Sequence, residues 1–309
     1  RVDFGIRLVR GGLVRVARES RTNQDLSAIC DVLQGLGYLE DPEARLEVSI
    51  LAKELDTLVT DPERRGGLLW TLNKMHRLGW LLRDRISADT WLVLSRLTQK
   101  FVEPLPGDPF RRSAAIDLLD RSILRLSAFS GYVMEAMTRG AGWAFLDIGR
   151  RLERAVQVLE MLRFGLALGV EDNEADRLEA LLEVSDSIIT YRSRYMSSMQ
   201  PELVVDLLLL DEANPRSVAF QLARLQEHIE RLPGAADLRT RPEYKTGLEA
   251  MSKVRLVELD HLMGLDRRGR RTRLQVLLRS VANNLQQLSE QLNRAYLIHA
   301  LPIRQATQG

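Results

Sequence analysis

The stretch Gln200-PELVVDLLLLDEANPRSVAFQLARL-Gln226 contains an aliphatic helix, a polar turn and the start of a second helix. An aliphatic run this pure favours burial, yet polar side chains crowd the turn and the start of the next helix, among them Asp211, Asn214, Arg216, Ser217 and Gln221. Because buried charged groups need hydrogen-bonded partners, other helices should pack against this turn. The stretch therefore predicts a helix junction with a polar site beside it.

Nearly every other segment repeats apolar residues at spacings of three and four, and alternation with a period of two is rare. This pattern predicts an all-α fold. Helices are expected near 23–36, 42–60, 63–85, 88–103, 110–138, 141–168, 173–198, 201–210, 215–232, 242–264 and 271–299. Several of them exceed 20 residues, which favours a bundle of long antiparallel helices, and no repeat of solenoid period is found.

Three helix starts carry clear signals. Asp41-Pro42 and Asp61-Pro62 each place a capping carboxylate before a proline, and Ser87 precedes the helix that contains Trp91. The first twenty residues are ambiguous, because Val2-DFGIR-Leu8 alternates like a strand and also begins a longer helical stripe. We favour a helix there.

Composition excludes several classes of function. Lys plus Arg total 44 and Asp plus Glu total 42, so the net charge of +2 favours neither nucleic acid nor an anionic membrane. The basic run Arg267-RGRRT-Arg273 lacks interleaved aromatic residues and is interpreted as a solvated loop.

The lone Cys30 favours a reducing compartment and a buried position. With no membrane span and no signal peptide, the chain is expected in the cytoplasm, as part of a longer polypeptide because it lacks an initiator methionine.

The histidine pattern gives poor support for metal chemistry. Glu258-Leu-Asp-His261 is a single Glu-x-x-His match, whereas a di-iron bundle needs two such matches and further glutamates. Gly-rich phosphate loops, nucleophile elbows and Cys/His pairs are also missing from the sequence. We therefore expect neither a metal site nor a bound cofactor.

Two helices carry candidate site residues. On Gly142-WAFLDIGRRLERAVQVLEML-Arg163, one face presents Asp147, Arg151 and Arg154, and another presents Arg150, Glu153 and Gln157. These residues form either weak surface ion pairs or an inward site in which Glu153 meets arginines of neighbouring helices.

On Leu182-EVSDSIITYRSRYMSSM-Gln200, Asp186, Thr190 and Arg194 follow each other at four-residue steps on one expected helix. Tyr191, Arg192 and Tyr195 lie on the same segment. This surface either binds a carboxylate or phosphate, or holds helices together by hydrogen bonds.

The segments Trp143-AFLDIGRRLERAVQVLEMLR, Leu182-EVSDSIITYRSRY and Val205-DLLLLDEANPRSVAFQLARL closely resemble the bacterial alpha-E domain, whose biochemical function is not established. Asp61-PERRGGLLWTLNKMHRLGWLLRDRISADTW resembles its middle region, and the resemblance covers residues 24–300. It implies an all-helical fold and a circularly permuted ATP-grasp protein as partner, in trans or fused. It also suggests a transglutaminase-like protein nearby and a system that forms or modifies peptide or amide bonds.

The opening helix departs from the resemblance. It usually reads like Gly-Arg-Tyr-x-Glu-Arg-Ala-Glu, but Gly5-IRLVRGGLVRVAR has no glutamate. Residues 1–22 are therefore interpreted as a divergent first helix or as the remnant of a preceding ATP-grasp module, and residues 23–309 as the helical domain.

The leading hypothesis is an accessory domain that binds a peptide or amino-acid substrate. Its binding residues would come from a set that the resemblance covers: Asp147, Arg150, Arg151, Arg154, Arg192, Arg194, Tyr195, Asp211, Asn214, Arg216, Ser217 and Gln221. Two alternatives stay open. One is an enzyme in which Glu153 or Asp186 acts as general base beside Tyr191, and the other is a scaffold without catalysis.

Overall fold

The computed structural model describes residues 1–17, 24–40, 47–107, 111–166, 174–234 and 237–297. Every regular element within these ranges is helical, which confirms the predicted all-α class. The first six helices are α1 (Val2–Ala17), α2 (Gln24–Gly35), α3 (Val48–Thr60), α4 (Leu68–Leu81), α5 (Ala88–Val102) and α6 (Arg111–Ala136). The next are α7 (Ala141–Gly165), α8 (Glu174–Val184), α9 (Ile188–Tyr195), α10 (Pro201–Val205), α11 (Val218–Arg231), α12 (Pro242–Arg255), α13 (Leu259–Met263) and α14 (Thr272–Leu292).

The order and packing of these helices repeat once along the chain. In the first half α1 packs on α6, α4 on α5 and α5 on α6; in the second half α7 packs on α14, α11 on α12 and α12 on α14. The two halves also interlock, since α2 packs on α7 while α8 packs on α1. Helices α9 and α13 are additions to the second half. We call α1–α6 the first repeat and α7–α14 the second repeat.

The two leading helices, α1 and α7, share a sequence motif. Asp3-FGIRLV-Arg10 in α1 and Asp147-IGRRLE-Arg154 in α7 align without a gap, with identical Asp, Gly, Arg, Leu and Arg at corresponding positions. The side chains repeat too, because Arg7 Nε donates to Asp3 at 3.1 Å and Arg151 Nε donates to Asp147 at 2.6 Å. The repetition therefore extends to individual ion pairs.

The ends of α2 and α8 have the same geometry. Tyr38 N donates to Leu33 O at 2.8 Å, and Ser187 N donates to Leu182 O at 2.8 Å. This is the hydrogen bond of a Schellman motif at a helix C-terminus, and it needs a residue with left-handed backbone just before the donor. That residue is Gly37 in the first repeat (φ 72°) and Asp186 in the second (φ 57°).

The turns that lead into α4 and α11 also correspond. Glu63 N donates to Asp61 Oδ1 at 2.8 Å, and Ala213 N donates to Asp211 Oδ1 at 2.8 Å. Each turn ends with a backbone hydrogen bond across three residues: Gly67 N donates to Arg64 O, and Ser217 N donates to Asn214 O, both at 3.0 Å. Aligning Asp61 with Asp211 therefore aligns α4 with α11 residue by residue.

The aliphatic run of the second repeat is buried, as its composition predicts. Val204, Val205 and Leu207–Leu209 have no exposed surface, and the helix that they form continues α10 into a π-helical turn, Asp206–Leu210. Cys30 is buried in α2, as predicted. None of the helices in the described ranges is long and apolar enough to cross a bilayer.

The N-terminal residues form helix α1, as we favoured from the helical spacing of their apolar residues, and not a strand. The domain division at residue 22 stays a prediction. Ser87 caps α5 as expected, since its hydroxyl accepts from Thr90 N at 3.2 Å. The cap predicted at Asp61 is wrong: this residue ends α3 and holds a turn, and α4 begins only after Gly67. Asp41-Pro42 lies outside the described residues.

Two of the long helices predicted from periodicity are divided. The helix expected at 173–198 breaks at Ser185–Ser187, where Asp186 adopts its left-handed conformation. The helix expected at 242–264 ends at Arg255, and a short α13 follows. Apolar spacing continues through both breaks because each flanking helix buries one face in the same core, so periodicity alone could not reveal them.

Candidate functional site

Most of the candidate residues lie in three polar clusters, of which one spans the contact between the repeats and two lie within the second repeat. The closed cluster consists of Asp147, Arg150, Arg151, Gln221 and His228. The open cluster consists of Asp3, Arg7, Arg154, Asp186 and Arg216. The rim cluster consists of Arg194, Tyr195, Asp206 and Asp211. The polar side chains of the three motif stretches therefore do not form a single site, because they are divided among these clusters.

The closed cluster is built around a buried carboxylate. Asp147 on α7 is 1% exposed, and its oxygens lie 2.5 Å from Arg150 Nη2, 2.6 Å from Arg151 Nε and 2.7 Å from His228 Nε2. Burial by itself raises the pKa of Asp147, but the hydrogen bond with His228 and the two arginine charges outweigh it and hold the pKa well below its usual range. This carboxylate is fully engaged within the protein.

The same cluster joins α7 to the turn before α11. Arg151 Nη1 donates to Gln221 Oε1 at 3.3 Å, and Gln221 Nε2 donates to Pro215 O at 2.5 Å. The ring of Trp143 packs edge-on against His228, with centroids 5.2 Å apart. These contacts fix the helices and leave little for a ligand to bind.

The open cluster joins α1 to the two junctions of the second repeat. Arg216 Nη2 lies 2.5 Å from Asp186 Oδ2 and its Nη1 lies 3.3 Å from Asp3 Oδ2. Arg7 contacts the same two acids, at 3.1 Å to Asp3 and 3.2 Å to Asp186. Two carboxylates and two guanidinium groups therefore form a ring between three segments of the chain.

A third guanidinium group stands beside this ring with weak pairing. Arg154 Nη2 is 3.9 Å from Asp3 Oδ2, its closest described carboxylate oxygen. The pKa of Arg154 is lowered to about 10, mainly by burial and secondly by the nearby positive charge of Arg216. Three guanidinium groups thus face two carboxylates, which leaves one surplus positive charge.

A recess opens among these groups. Its lining includes Asp3, Arg7, Arg154 and Arg216, and Gln157 and Val158 form part of its wall. The recess has a volume of about 30 Å³, enough for a small polar group. It is therefore a place where an added anion would meet surplus positive charge.

Asp186 holds its place in the open cluster at a conformational cost. A left-handed backbone is unfavourable for a residue with a Cβ by about 1–2 kcal/mol, although aspartate tolerates it better than most. At the corresponding position the first repeat has Gly37, which adopts this backbone freely. Backbone strain retained for one carboxylate is typical of functional sites.

The rim cluster lies nearer to solvent. Arg194, which is partly exposed, pairs with Asp211, and Tyr195 donates to Asp206 Oδ2 at 2.6 Å. Burial and this hydrogen bond raise the pKa of Tyr195. In the adjoining turn Asn214 Nδ2 donates to Leu207 O at 2.9 Å, and the Ser217 hydroxyl caps α11 by accepting from Phe220 N at 3.0 Å.

Three other candidates lie apart from the clusters. The hypothesis that Glu153 points inward against arginines of neighbouring helices is wrong, because its partner is the exposed Arg1, at 2.9 Å. Arg192 pairs with Glu179 at 2.8 Å on the surface. The Tyr191 hydroxyl donates to Ser198 O and accepts from Gln200 N, each at 3.0 Å, so both roles are used within the chain.

The expected alignment of Asp186, Thr190 and Arg194 on one helix is also wrong. The break at Ser185–Ser187 directs Asp186 to the open cluster, whereas Arg194 on α9 turns to the rim cluster. Sequence reasoning missed Asp3, Arg7 and His228. The signal for the first two was present in the motif that α1 shares with α7.

The whole described helical structure corresponds to one family profile. Residues 1–297 match a family described as a predicted alpha-helical domain with a conserved ER motif, named Alpha-E. The chain belongs to the Alpha-E family. It contains Glu-Arg pairs at 63–64, 153–154 and 230–231. Of these, Glu153-Arg154 lies in the repeated motif and places its arginine in the open cluster, whereas Val9-Arg10 occupies the same position in α1.

Relatives of this Alpha-E chain include the uncharacterized protein Rv2567 of Mycobacterium tuberculosis (strain ATCC 25618 / H37Rv) and the uncharacterized protein Mb2597 of Mycobacterium bovis (strain ATCC BAA-935 / AF2122/97). Each is 29% identical over 262 residues, which cover 82% of this chain and 29% of the relative. The chain thus spans less than a third of the length of these relatives. No solved structure matches it.

In the described ranges no three His, Cys, Asp or Glu side chains come together in a group that could hold a metal ion. The basic run at 267–273 is partly structural, because the buried Arg271 donates to Leu166 O at 3.1 Å and contacts Glu174 at 2.5 Å.

Proposed function

We propose that this Alpha-E chain is an accessory domain that binds a carboxylate-bearing peptide or amino acid at the open cluster. The domain would present this substrate to a circularly permuted ATP-grasp protein that forms or modifies a peptide or amide bond. The observation that carries the proposal is the surplus guanidinium of Arg154, which faces a recess already lined by Arg7 and Arg216.

A carboxylate suits this recess for reasons of charge and geometry. The guanidinium group offers parallel N–H donors that match two carboxylate oxygens, and such charge-assisted bonds are among the strongest in proteins. A bound anion would also relieve the repulsion between Arg154 and Arg216, which contributes to the lowered pKa of Arg154. Binding of the anion should therefore also raise the stability of the folded chain.

The proposed partner follows from the resemblance of the motif segments to the alpha-E domain. The matched relatives are much longer than this chain, so the similar region is one part of a larger polypeptide in each of them. A transglutaminase-like protein is a further candidate partner in the same system.

Catalysis by this chain is a weaker proposal. The candidate base Asp186 is held by Arg7 and Arg216, and Glu153 lies at the surface beside Arg1. The third candidate, Tyr191, is fully buried. Binding needs only the charges and the recess that are present, and a purely structural scaffold would leave Arg154 without a role.

Calorimetric titration with N-acetylated tri-glutamate tests the binding proposal, with N-acetylated tri-lysine and inorganic phosphate as comparison probes. We expect the acidic peptide to bind and the basic peptide not to bind. Arg154→Met should weaken binding by about tenfold or more, because a hydrogen bond to a charged group contributes about 1.5–3 kcal/mol.

The matched control is Arg224→Met, which removes an exposed arginine of α11 that pairs with Glu227 and takes no part in the open cluster. It should leave the affinity unchanged. Absence of binding by the wild-type chain, or equal affinity in the Arg154 and Arg224 variants, would contradict the proposal. The partner is tested separately, by co-purifying this chain with the ATP-grasp protein of the same genome, with and without ATP; no association would reject that part.

A further inference from the structure

A cavity opens between the end of α5 and the first half of α6. Its volume is about 240 Å³, and Leu105 and Leu118 form an apolar side of it. The remaining wall carries three cations and two acids: Lys100, Glu103, Asp117, Arg121 and Arg125. We call it the α5–α6 cavity. It shares no residue with the three polar clusters and is therefore a separate candidate site.

The charges of this cavity are only partly paired. Lys100 Nζ donates to both oxygens of Glu103, at 2.7 and 2.9 Å, and Arg121 donates to Asp117 at 2.7 Å. Both pairs are exposed and hold their members weakly, so a ligand can replace them. Arg125 is left over, because its Nη1 is enclosed without a hydrogen-bond acceptor among the described residues. An enclosed donor without an acceptor is unfavourable, and a turn of the side chain would bring it to an anion in the cavity.

The second repeat contains the same pair of helices, α12 and α14. Placing Thr90 of α5 on Glu243 of α12 puts every buried residue of α5 on a buried residue of α12. Placing Leu119 of α6 on Leu278 of α14 does the same for α6 and α14. Neither alignment needs a gap, so the two helix pairs can be compared position by position.

The comparison shows that two acceptors of the second repeat are arginines in the first. Lys253 pairs with Glu249 at 2.6 Å and donates to Asn284 Oδ1 at 2.8 Å, so this lysine has two acceptors on neighbouring helices. The corresponding positions are Arg96, Lys100 and Arg125 in the first repeat, and Glu249, Lys253 and Asn284 in the second. Three cations thus stand where the second repeat has one cation between two acceptors.

We propose that the α5–α6 cavity binds a small phosphate monoester. Its phosphate oxygens take the role that the Glu249 carboxylate and the Asn284 amide oxygen have in the second repeat. The charges match: with Arg96, which is exposed one turn before Lys100, four cations face two acids and leave a surplus of two. A phosphate monoester carries a charge of about −1.5 to −2 at pH 7, whereas a carboxylate carries only one. Lysine and arginine are also the side chains that most often bind phosphate.

The volume of the cavity limits the size of the ligand. Sites for drug-sized molecules enclose about 300–1,000 Å³, so this cavity suits a phosphate group on a short body. The body would contact Leu105 and Leu118. Phenyl phosphate has this form and is the probe for the site.

Calorimetric titration of the full chain with phenyl phosphate at about pH 7 tests the proposal, with benzoate as a comparison probe that has the same ring and a single charge. We expect phenyl phosphate to bind about tenfold or more tightly than benzoate, because its second charge and third oxygen allow further charge-assisted hydrogen bonds.

Arg125→Asn gives the first repeat the amide of the second. It should weaken the binding of phenyl phosphate by about tenfold or more. The urea midpoint should not fall, because Lys100 can then donate to the amide as Lys253 does. Lys100→Gln, at an exposed position, should weaken binding in the same way. The control is Arg112→Asn, the same change at an exposed arginine of α6 outside the cavity, which should leave the affinity unchanged.

The proposal is overturned if the wild-type chain does not bind phenyl phosphate, or if Arg125→Asn and Arg112→Asn bind it equally. Loss of binding in Arg154→Met but not in Arg125→Asn would place the phosphate at the open cluster and would also overturn it. The outcome is independent of the carboxylate site, which is tested with the acidic peptide.

Discussion

Asp3 and Asp147 occupy the same position of a repeated motif, yet their surroundings differ. Asp147 is 1% exposed and lies between two arginines and a histidine, all within the second repeat. Asp3 is half-buried and shares its arginines with Asp186 at the edge of a recess. One copy of the motif thus closes a helix contact, and the other helps to form a site.

The difference arises at the arginine that ends each motif. Arg10 in α1 pairs with Asp120 of α6, whereas for Arg154 in α7 the nearest carboxylate among the described residues is Asp3, 3.9 Å away. The first repeat thus pairs this charge within itself, and the second directs it to the contact with α1. A repeated fold can therefore keep one copy for stability and leave the other available for binding.

The largest expected effect compares removal of the two aspartates. Asp147→Ala would leave Arg150, Arg151 and His228 without their shared acceptor, and loss of one partner from a buried ion pair costs about 3–5 kcal/mol. Asp3→Ala should cost about 1 kcal/mol, because Asp3 is partly exposed and both Arg7 and Arg216 keep Asp186 as a partner. Urea unfolding of both variants measures this difference, and equal losses would show that the two copies have the same structural role.

The pH dependence of stability should also reflect the buried carboxylate of Asp147. The pKa of Asp147 is lowered in the folded protein, so its contribution is present above its unfolded pKa of about 4 and is lost as the pH falls towards the folded value. Thermal unfolding from about pH 7 to about pH 3 should show a steeper loss in the wild type than in Asp147→Asn. Parallel curves would contradict the assignment.

A smaller effect concerns the left-handed pair Asp186 and Gly37. Asp186→Gly should be about 1 kcal/mol more stable than Asp186→Ala, since both lose the carboxylate and only glycine relieves the backbone. Gly37→Ala should destabilise the chain by about 1 kcal/mol for the same reason, as space for a Cβ is present there. Chemical denaturation of the three variants tests the correspondence between the repeats.

The smallest effect is expected for Glu153→Gln. Its carboxylate and Arg1 are 42% and 72% exposed, and a pair this exposed contributes less than about 1 kcal/mol. The unfolding midpoint should therefore hardly change. A loss of several kcal/mol would place Glu153 in a buried network and reverse the contrast with Asp147.

Much of the fold could be read from local pattern. Apolar spacing predicted the all-α class, Ser87 marked the start of α5, and the aliphatic run before Asp211 predicted its own burial. The wrong expectations lie at junctions. Asp61 resembles a helix cap in sequence but ends a helix in space, and Asp186 interrupts a periodic stripe without a glycine or proline to mark the break.

The candidate site was predicted less completely. Arg154, Asp186 and Arg216 were proposed from their chemistry, but their partners Asp3 and Arg7 lie more than 140 positions away along the chain from Arg154. Pairing across such a separation has no local signature. The repeated motif of α1 and α7 would have identified Asp3 and Arg7 as the counterparts of Asp147 and Arg151.

The sequence by itself determined which segments are helical and which side chains carry charge, because helix formation and burial follow from spacing along a few turns. Only the tertiary structure decided which charges meet. The packing of α1 between the junctions of the second repeat brings two acids and three arginines together. These outcomes depend on contacts between distant helices, where burial and Coulomb energy act through space.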